Sequence, residues 1–382
     1  MDKENLRYWL ALRLIENIGS VGFKNLIQVF GSAQAVFNAP ESNLARVAQI
    51  TGKTAHRIKK FHEWQAVDKE LELVDRHNVS IVTLKDPSYP KALLNIYDPP
   101  PLLYVKGTLV KEDINVAVIG SRMASTYGKF MTERLSRELA LNGVTVVSGM
   151  ARGVDSAAHT GAIAGGGRTI AVLGSGIDVI YPPENKKLFE KISANGAVIT
   201  EFPFNTPPKG ANFPARNRII SGISFGVVIV EANEKSGSLI TARLGLEQGK
   251  EIFAVPGSID SPGSKGTHKL LKDGAKLVES VYDILEEILP LAVISKQDRK
   301  PGEKRREEPE VQSTKLSGRP SIDNLRTEEA TILKLIGNRP VYIDNIITDS
   351  GYQSGEALSI LLSLELKGYI EQLPGKRFII KK

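Results

Sequence analysis

The chain has 382 residues, 41% of them hydrophobic and 24% charged, which is enough apolar mass for more than one core and excludes an intrinsically disordered chain. It contains no cysteine, which excludes disulfides, thiolate metal sites and a thiol nucleophile, and is consistent with a reducing compartment. A net charge of +7 favours an anionic partner if the cations cluster, and is only a solvated surface if they do not.

The first residues carry early acids, Asp2 and Glu4, and no run of the chain approaches the ~20 apolar residues of a membrane span, so a cytoplasmic protein without a secretory signal is expected. Residues 1–75 read as a small helical domain. Leu6, Leu10 and Leu14, then Leu26, Val29 and Phe30, then Leu44 and Val47 recur at helical spacing. Breaks fall at Gly19-Ser20-Val21-Gly22 and Thr51-Gly52-Lys53. The turn Ile18-Gly19-Ser20-Val21-Gly22 resembles a helix-hairpin-helix, in which a glycine-rich turn approaches a DNA phosphate; a purely structural hairpin turn is the alternative.

Residues 76–292 change to short β-branched runs alternating with helical segments. The runs are Val116–Ile119, Val144–Val147, Thr169–Leu173, Ala197–Ile199, Val227–Val230 and Ile252–Val255. Nearly continuous apolar strands separated by helices imply a doubly wound, mostly parallel sheet buried on both faces, an extended Rossmann-like α/β fold. Ligands of such sheets bind beyond the carboxyl ends of the strands. The first run is followed there by Gly120, Ser121 and Arg122, the second by Ser148, Gly149 and then Arg152, the fifth by Lys235, Ser236, Gly237 and Ser238. Small residues permit close backbone approach, hydroxyls donate, and a helix N-terminus favours an anion, so these turns form a candidate phosphate cradle. Arg122 adds a guanidinium with bidentate reach, and Arg152 and Lys235 deepen the field.

No cofactor or metal is expected. Arg122 stands where the second glycine of a GxGxxG dinucleotide fingerprint belongs, no P-loop occurs, and the five histidines lack ligand spacing. His159 lies four residues after Asp155, an arrangement that orients a ring for proton transfer or merely secures a helix.

After the fourth run, Asn212-Phe213-Pro214-Ala215-Arg216-Asn217-Arg218 opens a helix, with Lys209 just upstream. Cations that follow a backbone and an aromatic ring that stacks a base are the combination used on single strands. The alternative is a buried Phe213 with an arginine paired to Glu201 or Glu231, because arginine near a helix N-terminus needs a partner. Val281, Ile284, Leu285 and Ile288 make an apolar stripe, read either as a dimer interface or as ordinary core. Residues 293–322 are dense in charge, Pro and Gly and read as a linker. In residues 323–382, three helical segments and a β-prone tail with a Pro374-Gly375-Lys376 turn resemble a winged helix.

Taken together, these residues resemble the DprA/Smf family. The likeness runs through Tyr89-Pro90, Asp98-Pro99-Pro100, the stretch from Val118 to Arg122, the stretch from Ser148 to His159, the segment from Phe213 to Arg218, Ser236 to Ala242, and Ala254 to Gly257. It implies binding of incoming single-stranded DNA during natural transformation, its protection, help in loading the RecA recombinase, and a homodimer. It also implies a helical SAM-like N-terminal domain, and it places the family's basic residue before the sixth strand on Lys250. Its lysine upstream of the Phe213 segment has no clean match, Lys209 being one position off. On this expectation Arg122, Ser148, Gly149, Lys209, Phe213, Arg216, Arg218, the run from Ser236 to Ser238, and Lys250 line one positive pocket. Two rivals compete. A nucleotide phosphoribohydrolase has a related core, but here its PGGxGT loop is interrupted between Pro256 and Thr267 and the glutamate that should follow is missing. A winged-helix transcription regulator would need a basic recognition helix, and Lys367 is the one cation of the predicted third helix.

Overall fold

The computed structural model describes residues 3–297, 327–336, 341–352, 357, 360, 361, 363–365, 369–373 and 377–380. Of the expected linker 293–322, residues 298–322 lie outside them, as do the Pro374-Gly375-Lys376 turn and Leu358, Leu362, Leu366 and Lys367 of the expected third C-terminal helix; residues 293–297 instead belong to helix Tyr282–Gln297. The chain forms two compact units, 1–301 and 302–382.

The first unit is built on a nine-stranded sheet. In chain order the strands are β1 (Ser80–Thr83), β2 (Leu102–Gly107), β3 (Ile114–Ile119), β4 (Val144–Ser148), β5 (Thr169–Val172), β6 (Ala197–Thr200), β7 (Gly226–Ile229), β8 (Glu251–Ala254) and β9 (Lys276–Leu277). They lie in the order β1-β2-β6-β5-β4-β3-β7-β8-β9. From β6 through to β9 every neighbour is parallel, while β1–β2 and β2–β6 are antiparallel. The two antiparallel strands β1 and β2 and the short β9 fall outside the runs read from the sequence, because Pro99-Pro100-Pro101 masks the entry to β2 and β9 has only two residues. From β3 the chain winds outward through β4, β5 and β6, and then returns to place β7, β8 and β9 on the other side. The direction of winding therefore reverses between β3 and β7, leaving a crevice beyond their carboxyl ends.

Alternate residues of one strand serve opposite cores: Val227 and Ile229 face one, Val228 and Val230 the other. This two-sided burial is why the strands read as unbroken apolar runs. Helices Thr126–Leu141 and Val154–Ala164 cover one face through Met131, Leu135, Leu139, Ala158 and Ala162. Helices Asn212–Ile223 and Gly237–Glu247 pack on the other through Ile219, Ile220 and Ala242. The stripe Val281, Ile284, Leu285 and Ile288 is also spent here: all four are buried against Val228, Phe253 and Val255. The dimer assignment of that stripe is therefore corrected to core packing within the chain.

The N-terminal helices, from Lys3–Leu14 to Trp64–Arg76, share a continuous core with Tyr104, Ala171 and Val198 of the sheet. Leu10, Leu26, Leu44 and Val47 are buried there as their spacing predicts, whereas Val29 is 63% exposed. Gly22 of the hairpin-like turn packs on Ile50 of the next turn.

In the second unit, β10 (Val341–Tyr342), β11 (Ile370–Leu373) and β12 (Arg377–Ile380) form an antiparallel sheet in the order β10-β12-β11. Helices Thr327–Ile336 and Ile343–Ser350 bury Ile332, Ile336 and Ile346 with Leu361, Leu364 and Phe378. Helices with a small antiparallel sheet are the expected winged helix.

Candidate nucleic-acid interface

The crevice at the β3/β7 reversal is a cleft of about 590 Å³. The turn after β3 contributes Gly120, Ser121, Arg122 and Met123; the turn after β7 contributes Asn233, Ser236, Gly237 and Ser238; the helix Asn212–Ile223 contributes Phe213, Arg216 and Asn217. The two turns, 110 residues apart in sequence, meet because β3 and β7 are neighbours in the sheet and end at one rim, and helix Asn212–Ile223, which runs into β7, completes the lining.

Close packing of backbone makes this possible. Gly153 has φ +73°, and a Cβ there would collide with the carbonyls of Ser121 and Arg122. The Val154 N–H donates to Ser121 O at 3.1 Å, tying the β3 turn to the start of helix Val154–Ala164. Ser236 caps helix Gly237–Glu247, its Oγ accepting from Ser238 N–H, and the two hydroxyls lie 2.7 Å apart. The helix thus presents its N-terminus, with hydroxyl donors, to the cleft.

Arg122 is exposed, and none of the ion pairs among the described residues involves it. Its guanidinium stands 5.1 Å from the centre of the Phe213 ring, a cation–π pair that holds a positive charge beside an aromatic face. Tyr181, which no sequence pattern singled out, lies with its ring centre 5.8 Å from that of Phe213 and is 42% exposed.

Arg216 forms the floor. It is buried, with Nη1 donating to Gly149 O at 2.8 Å and to Val172 O. Gly149 is glycine because a Cβ would occupy the place of that guanidinium. Burial pushes the Arg216 pKa down to about 10, with Asp155 opposing, so the group keeps its charge at neutral pH. Burial raises the Asp155 carboxyl, against the pull of Arg216, and Asp155 Oδ2 accepts from Ala151 N–H at 3.3 Å. Arg216 therefore contributes field from beneath rather than an open fork.

Other expected residues stand elsewhere. Ser148 is buried with its hydroxyl donating to Val118 O at 2.7 Å, so it braces the sheet. Arg218 is turned away from the cleft into ion pairs with Asp98 at 2.9 Å and Glu201 at 2.7 Å, the second of which is the alternative partner its helix position demanded. Arg152 pairs with Glu184 at the surface. Lys209 is exposed beside Gly210, which lines the cleft. Lys235 and Lys250 line a second cavity of about 700 Å³ together with Arg243 and Ser236, so the single pocket expected is divided in two by helix Gly237–Glu247. Burial lowers the Lys250 pKa to about 8. Two further motif residues are structural: the buried Tyr89 donates its hydroxyl to Pro100 O at 2.8 Å. His159 bonds Thr169 at 2.7 Å rather than serving the cleft.

Among the described residues no cluster of three or more His, Asp or Glu side chains converges as a metal site, and no helix is long and apolar enough to cross a membrane.

Residues 80–289 match the family model of DNA recombination-mediator protein A, and residues 318–376 that of the DprA winged helix domain. Protein Smf of Synechocystis sp. is 32% identical over 99% of both chains. The solved structure of DNA processing protein A from Streptococcus pneumoniae is similar at 35% identity, covering 74% of this chain and 98% of that one, with a TM-score of 0.66. The corresponding protein of Helicobacter pylori, whose structure is described for its single-stranded DNA binding mode, is 35% identical over 55% of this chain and 96% of its own, with a TM-score of 0.50.

Proposed function

The chain belongs to the DNA recombination-mediator protein A family, and we propose that it binds incoming single-stranded DNA in the cytoplasm during transformation, by holding rather than by catalysis. One observation carries the reading: Arg122, free of ion pairs among the described residues, stands over Phe213 in the cleft at the β3/β7 reversal. A guanidinium beside an aromatic face offers a phosphate partner and a base partner at once, without demanding a sequence. The helix N-terminus at Gly237 and the buried Arg216 add positive potential behind them. A duplex keeps its bases stacked on each other and has nothing to offer Phe213, so preference for single strands follows.

Loading of RecA and self-association as a homodimer belong to the same proposal and rest on the family likeness. The 281–288 stripe is not the face for either, being buried in the core.

Fluorescence anisotropy with single- and double-stranded oligonucleotides at two salt concentrations tests the proposal. The single strand is expected to bind more tightly. Arg122→Ala is expected to weaken it roughly ten- to hundredfold and to lower the salt slope by about 0.7, one phosphate contact. Tight preference for duplex, or unchanged affinity in a folded Arg122→Ala protein, would reject it. Release of free base from a nucleoside monophosphate would reject its non-catalytic part.

A further inference from the structure

Beyond Arg122 the chain continues into large side chains whose apolar surfaces stay open to solvent. Met123, which lines the cleft, is 94% exposed. Tyr127 and Phe130 follow on helix Thr126–Leu141 at 49% and 61% exposure, three residues apart and so neighbours on its surface. The same helix buries Met131, Leu135 and Leu139 on its inner side, so its packing onto the sheet is complete without the outer ring of Phe130. Tyr127 is held in place, its hydroxyl donating to Pro256 O at 3.2 Å. Beneath Tyr127 lies a recess of about 470 Å³ lined by Glu231 and by Ser125, Ser258, Ser261 and Ser264.

Charge separates what the two sides of Arg122 can take. A guanidinium attracts a phosphate, whereas the Glu231 carboxylate, which accepts from Ser125 N–H at 2.9 Å, disfavours one and leaves the recess to uncharged groups. A polynucleotide crossing this rim with its backbone along Arg122 would have its bases facing the rings. Resting on the reading that the cleft holds single-stranded DNA, we infer that Met123, Tyr127 and Phe130 form a second stacking platform for the bases flanking the nucleotide seated at Phe213. Continuity with the cleft through Met123 picks out the strand, rather than a protein, as the occupant.

The experiment compares oligothymidylates of about 4 nucleotides, confined to the seat, and about 16, reaching past it. The double variant Tyr127→Ala, Phe130→Ala is expected to bind the short strand like the wild type and the long one roughly five- to a hundredfold more weakly. Tyr127→Phe, which keeps the ring and drops the hydroxyl, is expected to bind both normally. Both side chains are exposed, and an unchanged thermal midpoint verifies folding of the double variant. If Arg122→Ala weakens both strands while the double variant binds the long one normally, the platform is wrong and the seat stands. Equal weakening of both strands by the double variant also overturns it, as does loss of self-association in sedimentation with DNA binding intact. If Arg122→Ala changes neither affinity, the reading of the cleft itself has failed.

Discussion

Arg216 and Arg218 sit two residues apart on one helix, and their surroundings give them different roles. Arg216 points under the cleft to carbonyl oxygens of Gly149 and Val172; Arg218 points to Asp98 and Glu201. Nothing in the local sequence separates them, since both are cations at the start of a helix. His159 is a similar case. Thr169 Oγ1 donates its proton to Val146 O at 2.8 Å, so His159 Nδ1, 2.7 Å from Thr169 Oγ1, must donate to it. Nε2 is then an unprotonated acceptor, buried and without a partner among the described residues. Burial accordingly holds the His159 pKa near 3, against 6.5 for the free side chain. The unfolded chain takes up this proton first, so the stability that neutral His159 contributes is complete above pH 6.5 and declines as the pH falls toward 3. His159→Gln, which cannot titrate, is expected to cost about 1–3 kcal/mol at neutral pH. It should show a shallower loss of stability than the wild type between pH 6.5 and about 4, by urea midpoints along a pH series.

At the scale of elements, the turns were the most legible parts of the site. A parallel strand ends where glycine and serine interrupt the apolar run, and those interruptions after β3 and β7 are the two that meet. The strands β1 and β2 were not legible, β1 being short, β2 preceded by three prolines, and the two paired antiparallel. The helix Tyr282–Gln297 shows the limit of pattern reading. An apolar stripe looks the same whether it faces a second protomer or the chain's own sheet, and only Phe253, Val228 and Val255 on the facing strands decide. Ile284→Ala is expected to lower stability by about 2–5 kcal/mol through the cavity it leaves. Guanidinium unfolding reads that loss, and sedimentation should show no change in self-association. A dissociated but equally stable protein would return the stripe to an interface.

For the molecule as a whole, the cleft lies within the first unit, and its lining draws on no residue beyond Thr241. A chain ending at residue 301 is therefore expected to bind a short single strand within about twofold of the full-length affinity, because it keeps every residue that lines the cleft, and independent sites add their contributions. Anisotropy on the truncated protein checks it, and a much larger loss would place part of the DNA site on the winged-helix unit. The fold class, the two-sided burial of the sheet, the lack of thiol chemistry and the family were all legible in residue order, since they depend on local periodicity and on motifs within single segments. Which arginine stays open, which is buried, that Tyr181 joins Phe213, and that Lys235 and Lys250 belong to a separate cavity came from the folded chain. Those properties depend on contacts between segments brought together by the strand order, and a side chain's charge, exposure and partners are set by what lies across the sheet rather than by its neighbours along the backbone.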